Sequence, residues 1–287
     1  MRNKQKLQEK VQGIRTLPTL PQVASRLISI MNSELTSAGD VAKLIGQDPS
    51  LAARVLRLAN SAFYGMPRSI TNVNNAVVIL GLKAITTMVV SLSVFDMFPQ
   101  DKSSTLFDRK AFWKHCLSCA QIGRLLTRKV KVVLGFDQEE AFCAGLLHDI
   151  GKIVMEQYLH DDFRTALDLG QRKGFPSYEA EREALGYDHC TVAQWLIERW
   201  DLPAELHLPI VFHHAPSESQ EQADGVALIH YADWICHAVE LQQNLTTSMP
   251  HLELQAISRL KIDMQDIEAI KTSIPEEVDK VSAMFLA

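Results

Sequence analysis

The stretch AFCAGLLHDIGK, residues 141–152, contains the residues that most clearly indicate a chemical function, and its pattern is that of a helix. Its apolar first half has helical spacing, and His148 and Asp149 follow at or near the end of that helix. Such a pair can serve two metal ions, because the imidazole binds one ion and the two carboxylate oxygens can bridge both. Gly151 lets the chain turn at little steric cost, and Lys152 offers a cation to a phosphate group. The stretch is therefore a candidate metal site in a helical protein, with Asp149 and Lys152 as candidate catalytic residues.

Helix signals continue outside this stretch. Asp48-Pro49 is an N-cap followed by proline at the first helical position, and Ser37 with Asp40 has the spacing of a capping box. The only β-branched run, residues 130–134, is too short to define a sheet. These patterns predict an all-α fold, a multi-helix bundle, whose helices include residues 138–147, 188–200 and 222–240.

Residues 76–98 are the best candidate for a membrane span. They contain Gly81, Asp96 and several hydroxyl side chains, whereas a spanning helix needs about 20 mostly apolar residues. We therefore expect two buried helices with a break near Gly81, the first of them opened by Asn74-Asn75.

Composition and charge exclude several classes of protein. Of the 287 residues, 47% are hydrophobic and 22% are charged, which are ordinary globular values and exclude disorder as the main state. The formal net charge of −5 counts against non-specific binding to a nucleic-acid backbone, which needs a basic face. The odd count of five cysteines and the lack of a signal-peptide pattern predict a reduced, cytoplasmic protein.

The distribution of histidines predicts two halves. All ten histidines follow residue 114, and a polar stretch at residues 99–110 precedes them. We expect the sequence SIPEE, residues 273–277, to open a last short helix. The predicted domains are an N-terminal extension over residues 1–16, an N-terminal helical half over 17–105, a metal-site half over 106–245 and a C-terminal helical extension over 246–287.

Further candidate metal ligands lie along the second half of the chain. Imidazole suits Zn, Fe, Ni and Cu, and added carboxylates extend the choice to Mn. Spacing alone does not show that distant residues converge, and a single histidine on a helix is usually a surface or core residue. From the residues alone, structural histidines and a two-metal site therefore stay open as alternatives. The additional candidates are His115, His189, His213, His214 and Asp233.

A series of short motifs resembles the HDOD domain, over about residues 15–240. In the first half the matching segments are LPTLP (17–21), QDPSL (47–51), LANSAFYG (58–65) and AVVILG (76–81). In the second half they are FW before His115, GLLHDIGK (145–152), GYDH (186–189), WDLP (200–203) and the pair His213-His214. The resemblance is specific because many short motifs occur in the right order.

HDOD domains are relatives of the HD and HD-GYP phosphohydrolases and resemble output modules of bacterial signalling, often without demonstrated activity. The resemblance implies an HD-type helical bundle with an N-terminal helical subdomain. It also implies a pair of divalent ions, which would be Fe, Mn, Zn or Ni. By similarity to the HD-GYP site, a first ion would be bound by His115, His148 and Asp233, and a second by His189, His213 and His214, with Asp149 bridging them.

Two departures from the HD-GYP pattern restrict these implications. Residues 215–219 read APSES, where HD-GYP proteins have the Gly-Tyr-Pro signature that helps to define a cyclic dinucleotide pocket. Position 111, four residues before His115, is Ala, whereas a Glu there supports a third metal ion in some HD-GYP enzymes. We therefore expect at most two metal ions.

Two functions compete, with a third behind them. A signalling module that acts mainly by binding a ligand or partner is favoured by the family resemblance and by the missing Gly-Tyr-Pro signature. A metal-dependent phosphohydrolase or phosphodiesterase acting on a nucleotide or other phosphoester is favoured by the retained ligands. Regulatory nucleic-acid binding is weaker, because the chain is acidic. The expected partners are a phosphate-containing ligand and signalling proteins. No membrane partner is expected, and a nucleic acid is the least favoured partner.

The cysteines suggest packing more than chemistry. Cys116 and Cys119 form one Cys-x-x-Cys pair, which lacks the second pair of a structural zinc site and predicts buried helical thiols. Cys190 and Cys236 neighbour candidate ligands, and we expect them to line the pocket or to be sensitive to oxidation.

Overall fold

The computed structural model describes residues 18–30, 37–61, 64–98, 107–132, 134–243 and 248–285. Within these ranges the secondary structure consists of α-helices and one 3-10 turn, without a β-strand, which confirms the predicted all-α fold. The predicted extension over residues 1–16 and the predicted boundary near residue 105 lie outside the described residues.

The chain divides into two compact units. The first, here called the N-terminal unit, lies within residues 19–99 and 276–287. It contains α1 (Gln22–Ile30), α2 (Ala38–Ile45), α3 (Pro49–Ala59), α4 (Val73–Leu80) and α5 (Leu82–Met97).

The second, here called the histidine unit, lies within residues 1–18 and 100–275. Helix α15 (Met264–Phe285) belongs to the histidine unit up to Pro275 and to the N-terminal unit from Glu276. The other elements of the histidine unit are α6 (Arg109–Thr127), α7 (Gln138–Leu147), α8 (Ile150–Tyr158), α9 (His160–Lys173), α10 (Ser177–Leu185), α11 (His189–Trp200), α12 (Ala204–Phe212), the 3-10 turn Pro216–Glu218, α13 (Ala223–Gln242) and α14 (Leu254–Ser258).

The stretch predicted as two buried helices forms α4 and α5, which meet at Gly81. Helix α5 is buried over residues 84–95, but the predicted burial of α4 is wrong, because Val78 and Ile79 are 69% and 58% exposed. Gly81 has a φ of 89°, which residues with a side chain rarely adopt, so the break falls where it was predicted. Helix α4 begins earlier than predicted, because its N-cap is Asn72, whose side chain accepts a hydrogen bond from the Asn75 amide. Among the described residues, no helix combines the length and the apolar character needed to cross a membrane.

Two predicted helix starts are confirmed in the N-terminal unit. The Asp48 side chain accepts hydrogen bonds from the amides of Ser50 and Leu51 at the start of α3. Ser37 and Asp40 form a reciprocal capping box at the start of α2. Each cap satisfies amides that have no partner within the helix, so these short helices begin at defined residues.

Two glycines bring helices of the histidine unit unusually close together. A Cβ on Gly145 would lie 2.7 Å from the Cα of Ala120, so α7 packs directly on the backbone of α6. A Cβ on Gly151 would overlap the carbonyl group of His189, so α8 packs directly on the start of α11. Gly151 lies inside α8 without a positive φ. Its predicted role in a turn is therefore wrong, and what it permits is a close helix contact.

The predicted break before a last short helix is also wrong, because α15 continues through Pro275. Proline removes one backbone donor and crowds the carbonyl four residues earlier. Apolar residues at helical spacing compensate for this cost, since they are buried on both sides of the proline. They are Ile267, Ile270, Ile274, Val278 and Val281.

We expect Gly151→Ala to destabilise the protein by about 3 kcal/mol, because α8 would have to move away from α11 to admit the methyl group. Gly170→Ala is the matched control on another helix. Its added Cβ would meet the Cβ of Ala180 at 3.4 Å, an ordinary contact, and alanine favours a helix over glycine. Urea unfolding followed by circular dichroism measures both variants. Equal midpoints for Gly151→Ala and wild type would contradict the close packing.

Candidate metal centre

The seven predicted ligands converge in the histidine unit. They come from α6, from the junction of α7 and α8, from the first residue of α11, from the residues after α12 and from α13. In that order they are His115, His148 with Asp149, His189, His213 with His214, and Asp233.

Asp149 lies in the middle of the cluster, and its two carboxylate oxygens face different imidazoles. Oδ2 is 3.6 Å from Nε2 of His115 and 3.4 Å from Nε2 of His148. Oδ1 is 3.1 Å from Nε2 of His189 and 3.8 Å from Nε2 of His213. A carboxylate in this position can serve as a ligand on both sides.

Asp233 completes one side of the cluster. Its Oδ1 is 3.3 Å from Nε2 of His115 and 3.5 Å from Nε2 of His148. The two ring nitrogens are themselves 3.3 Å apart. Three donor atoms from α6, α13 and the α7–α8 junction therefore surround one point.

His214 completes the other side. The centroid of its ring lies 4.0 Å from that of His213 and 5.1 Å from that of His189. The ring stacks on Tyr178 with centroids 4.1 Å apart, which fixes its plane. The cluster of nearby donor atoms at this point also includes the thiol of Cys190.

Two backbone carbonyl groups fix the tautomers of two rings. Nδ1 of His148 donates to the Gly145 carbonyl at 2.7 Å, and Nδ1 of His213 donates to the Ile210 carbonyl at 2.8 Å. A carbonyl oxygen can only accept, so Nδ1 carries the proton and Nε2 of the neutral ring keeps its lone pair. Histidines that bind metal ions are held in this way.

Two carboxylates hold the Nδ1 atoms of two further rings, His115 and His189. Glu240 Oε1 lies 2.8 Å from Nδ1 of His115, and Glu181 Oε2 lies 2.7 Å from Nδ1 of His189. Glu181 also accepts the backbone amide of His189 at 2.7 Å, so it positions both the ring and the start of α11. In both cases Nε2 faces the cluster.

Several buried atoms that face the cluster have no hydrogen-bond partner in the described part of the chain. Each such atom costs about 1–3 kcal/mol when nothing binds it. Converging nitrogen and oxygen donors are the ligands of a divalent transition metal, so the residues present fit a metal centre. The atoms are Oδ1 of Asp149, Oδ1 of Asp233, and Nε2 of His189, His213 and His214.

The charge states of Asp149, His213 and His214 suit metal binding, whereas those of His115, His148 and His189 do not. Burial would raise the pKa of Asp149, but His148 and Lys152 outweigh it and hold that pKa well below its ordinary value. Burial lowers the pKa of His213 to about 3 and lowers the pKa of His214 well below its ordinary value. Ionised carboxylates and neutral imidazoles are the forms that bind metal ions, so Asp149, His213 and His214 are ready to bind.

Burial would lower the pKa of His115, His148 and His189, but Glu240, Asp149 and Glu181, respectively, outweigh it and raise that pKa well above its ordinary value. These three rings would therefore release a proton when a metal ion binds.

Lys152 lies at the edge of the cluster. Its Nζ donates a hydrogen bond to Asp149 Oδ2 at 2.6 Å, and its side chain is 12% exposed. The ammonium group therefore pairs with the buried carboxylate, while a small part of the Lys152 side chain reaches solvent.

The cysteines of the chain are free and buried. Cys190 Sγ lies 3.7 Å from Nδ1 of His213, and Cys236 Sγ lies 3.4 Å from Nδ1 of His115. Burial raises the pKa of Cys190 to about 11 and that of Cys236 to about 12, so both thiols are protonated at neutral pH. A protonated buried thiol is inert, and the geometry therefore favours lining of the pocket over sensitivity to oxidation.

Three residues of this region lie outside the set that the sequence predicted. Glu181 and Glu240 support ligand rings from separate helices, and no local pattern marks either of them. His237 lies one helical turn after Asp233, with its Nε2 3.5 Å from Asp233 Oδ1. That spacing of four residues on one helix was a signal that could have identified His237.

Comparisons with known proteins agree with this fold. The HDOD domain family matches residues 17–216. The crystal structure of an HDOD domain protein with unknown function from Geobacter sulfurreducens has a TM-score of 0.81 and 26% identity, covering 100% of this chain and 99% of that chain.

Two further relatives are more distant. The crystal structure of a protein proposed to be a phosphohydrolase, from Shewanella amazonensis SB2B, has a TM-score of 0.72 and 24% identity, covering 97% of this chain and 98% of that one. At that identity the likeness concerns the fold alone. An uncharacterized protein from Treponema pallidum (strain Nichols) is 23% identical over 221 residues, which are 75% of this chain and 41% of that protein. The chain thus spans less than half the length of this relative.

We expect Glu181→Gln to weaken metal binding by about 10–100-fold, because an amide holds the His189 ring less firmly than a carboxylate does. Glu183→Gln on the same helix is the matched control, since Glu183 is exposed and pairs only with Lys173 among the contacts described. Competition with a chromophoric chelator measures the affinity of each variant. Equal losses in the two variants would contradict the supporting role of Glu181.

Proposed function

The chain belongs to the HDOD domain family, and from that membership we propose that it is a bacterial signal-transduction module whose dinuclear metal centre binds a phosphate-containing ligand. The observation that carries the proposal is the position of Asp149. Its Oδ2 faces His115 and His148, and its Oδ1 faces His189 and His213. A carboxylate between two groups of imidazoles is placed to bridge two ions.

The residues divide into two ligand groups around this carboxylate. When bound, divalent ions supply Lewis acidity toward phosphoryl oxygens. The first ion would be held by His115, His148 and Asp233, and the second by His189, His213 and His214, with Asp149 shared.

Lys152 supports the choice of a phosphate-containing ligand. Its ammonium group uses one donor on Asp149 Oδ2, and an ammonium has three donors in all. Because the side chain reaches solvent, an anion that enters the cluster meets this cation at its edge. A phosphate group is the anion that both a divalent ion and an ammonium bind well.

Residues 215–219, after the paired histidines, stand where HD-GYP proteins have the Gly-Tyr-Pro signature. Their different structure supports a ligand other than a cyclic dinucleotide. Residues 216–218 form a 3-10 turn, and the Ser217 amide donates to Glu253 at 3.3 Å. The Glu253 amide donates to Nε2 of His230 at 3.0 Å, and Nδ1 of His230 donates to the His213 carbonyl at 2.7 Å. These hydrogen bonds tie the segment to the back of the cluster.

A second function, hydrolysis of a phosphoester, is favoured by the complete ligand set. It would use the same seven side chains, and Lys152 would hold the negative charge of the phosphoester. The two functions differ only in whether the bound phosphate is turned over. Binding is the proposed function because the family resemblance implies an output module.

Metal content tests the centre itself. Protein purified without a His-tag and reconstituted with Fe, Mn, Zn and Ni is expected to hold about two ions per chain by inductively coupled plasma mass spectrometry. The double variant Asp149→Ala, His213→Ala is expected to retain less than about one tenth of that metal, because each position loses a ligand. His160→Ala removes an exposed histidine outside the cluster and should keep both ions. Wild-type protein that binds no metal would overturn the proposal.

Asp149→Asn separates binding from hydrolysis. The metal-loaded wild type is expected to gain thermal stability from inorganic phosphate without hydrolysing bis(p-nitrophenyl) phosphate. Asp149→Asn keeps the shape of the side chain but removes its charge, so metal affinity and the effect of phosphate should both fall by about 10–100-fold. If the wild type hydrolyses the ester and Asp149→Asn lowers that rate at least about 100-fold, the protein is instead a phosphohydrolase.

A further inference from the structure

His237 shares one face of α13 with two residues already described. It follows Asp233 by four positions and precedes Glu240 by three, which are the spacings of neighbours on a helix surface. The ligand set implied by the family resemblance does not include it. Its Nε2 nevertheless lies 3.5 Å from Asp233 Oδ1, inside the metal centre.

His237 and His115 have matching surroundings, although they come from different helices. The Nε2 atoms of His115 and His237 lie 3.3 Å and 3.5 Å from the same oxygen, Oδ1 of Asp233. Behind the rings, Glu240 Oε1 is 2.8 Å from Nδ1 of His115 and Glu240 Oε2 is 3.7 Å from Nδ1 of His237. The second distance is about 0.5 Å beyond hydrogen-bond range. The Glu240 carboxylate therefore lies behind both imidazoles, and both imidazoles face Oδ1 of Asp233.

These separations fit ligands of one ion. Two nitrogen or oxygen ligands, each about 2.1 Å from a zinc-sized ion, can be at most about 4.2 Å apart. Both distances to Asp233 Oδ1 fall below that limit. Asp233 is 2% exposed, and its Oδ1 has no hydrogen-bond partner within the described ranges. This buried oxygen independently indicates that a cation belongs between the rings.

We propose that His237 is an additional ligand at the first metal position, beside His115, His148 and Asp233. The proposal rests on the dinuclear centre described above and adds to it one nitrogen donor. His237 is 19% exposed, against 11% for His115, 2% for Asp233 and 0% for His148, so it is the most exposed of these four side chains.

An added imidazole changes what the first position can do. Catalytic metal sites keep one position open for water or substrate, whereas structural sites are closed by protein ligands. His237 would fill one more position around the first ion, which leaves fewer positions for a phosphate group there than at the second ion. A further imidazole also favours Zn, Fe or Ni over Mn at the first position. The filled position agrees with a centre that binds phosphate without turning it over.

Cobalt is the probe that tests this proposal. Wild type, His237→Ala and His237→Cys are loaded with Co(II), and cobalt content, affinity and absorption spectra are measured. A cysteine at a ligand position supplies a thiolate, so His237→Cys is expected to show a thiolate-to-cobalt charge-transfer band that exceeds any in wild type. Wild type contains all five native cysteines and controls for them. His237→Ala is expected to lower the affinity of one of the two positions by at least about tenfold.

The control variant carries its new thiol away from the metal centre. His160→Cys places a thiol at an exposed histidine outside the cluster and should give the wild-type spectrum. Wild-type affinity in His237→Ala, together with no new band in His237→Cys, would overturn the role of His237 and leave the dinuclear centre intact. Absence of cobalt from wild type would overturn the centre itself. If His237→Ala is unfolded by circular dichroism, His237→Gln takes its place in the affinity measurement.

Discussion

The buried carboxylate of Asp149 sets the condition that the histidine unit has to meet. An ionised carboxylate that is 2% exposed costs several kcal/mol unless opposite charges or hydrogen-bond donors surround it. Lys152 provides one donor, and imidazoles from other elements surround the rest of the group. Those imidazoles are in turn fixed from behind, by backbone carbonyls or by carboxylates such as Glu181. The close helix contact at Gly151 then brings the start of α11 within reach of Asp149. The positions of the ligands around Asp149 therefore depend on how the helices pack.

Binding and hydrolysis of a phosphate-containing ligand depend on the same arrangement of ligands. Both need an ionised bridging carboxylate, neutral imidazoles and a cation at the edge of the cluster. What distinguishes them is access to the metal positions, which residues outside the family pattern control. In the proposal His237 adds a ligand at one position, and in the segment over residues 215–219 the Ser217 amide donates to Glu253. In this proposal the chain keeps the ligands of a phosphohydrolase site but restricts the access of a phosphate-containing ligand to the metal positions.

Local features of the fold were predictable because each depends on residues within one or two helical turns. The capping side chains of Ser37 and Asp48 satisfy amides two or three residues away, and Gly81 breaks a helix through its own backbone conformation. Two local predictions were wrong for a shared reason. Pro275 and Gly151 were interpreted from their intrinsic preferences, and burial outweighed those preferences. Apolar residues are buried on both sides of Pro275, and Gly151 packs directly on the start of α11.

The sequence by itself determined an all-α fold and, through motif order, the residue types of a metal centre. Only the tertiary structure decided that these residues converge, since His115 and Asp233 are brought together by contacts that no spacing encodes. It also decided which residues support the ligands. Glu240 lies seven positions after Asp233 on the same helix, yet its partner His115 belongs to α6. Local patterns record preferences along one helix, whereas a site made by several helices depends on how their surfaces fit, and that fit is a property of the folded chain.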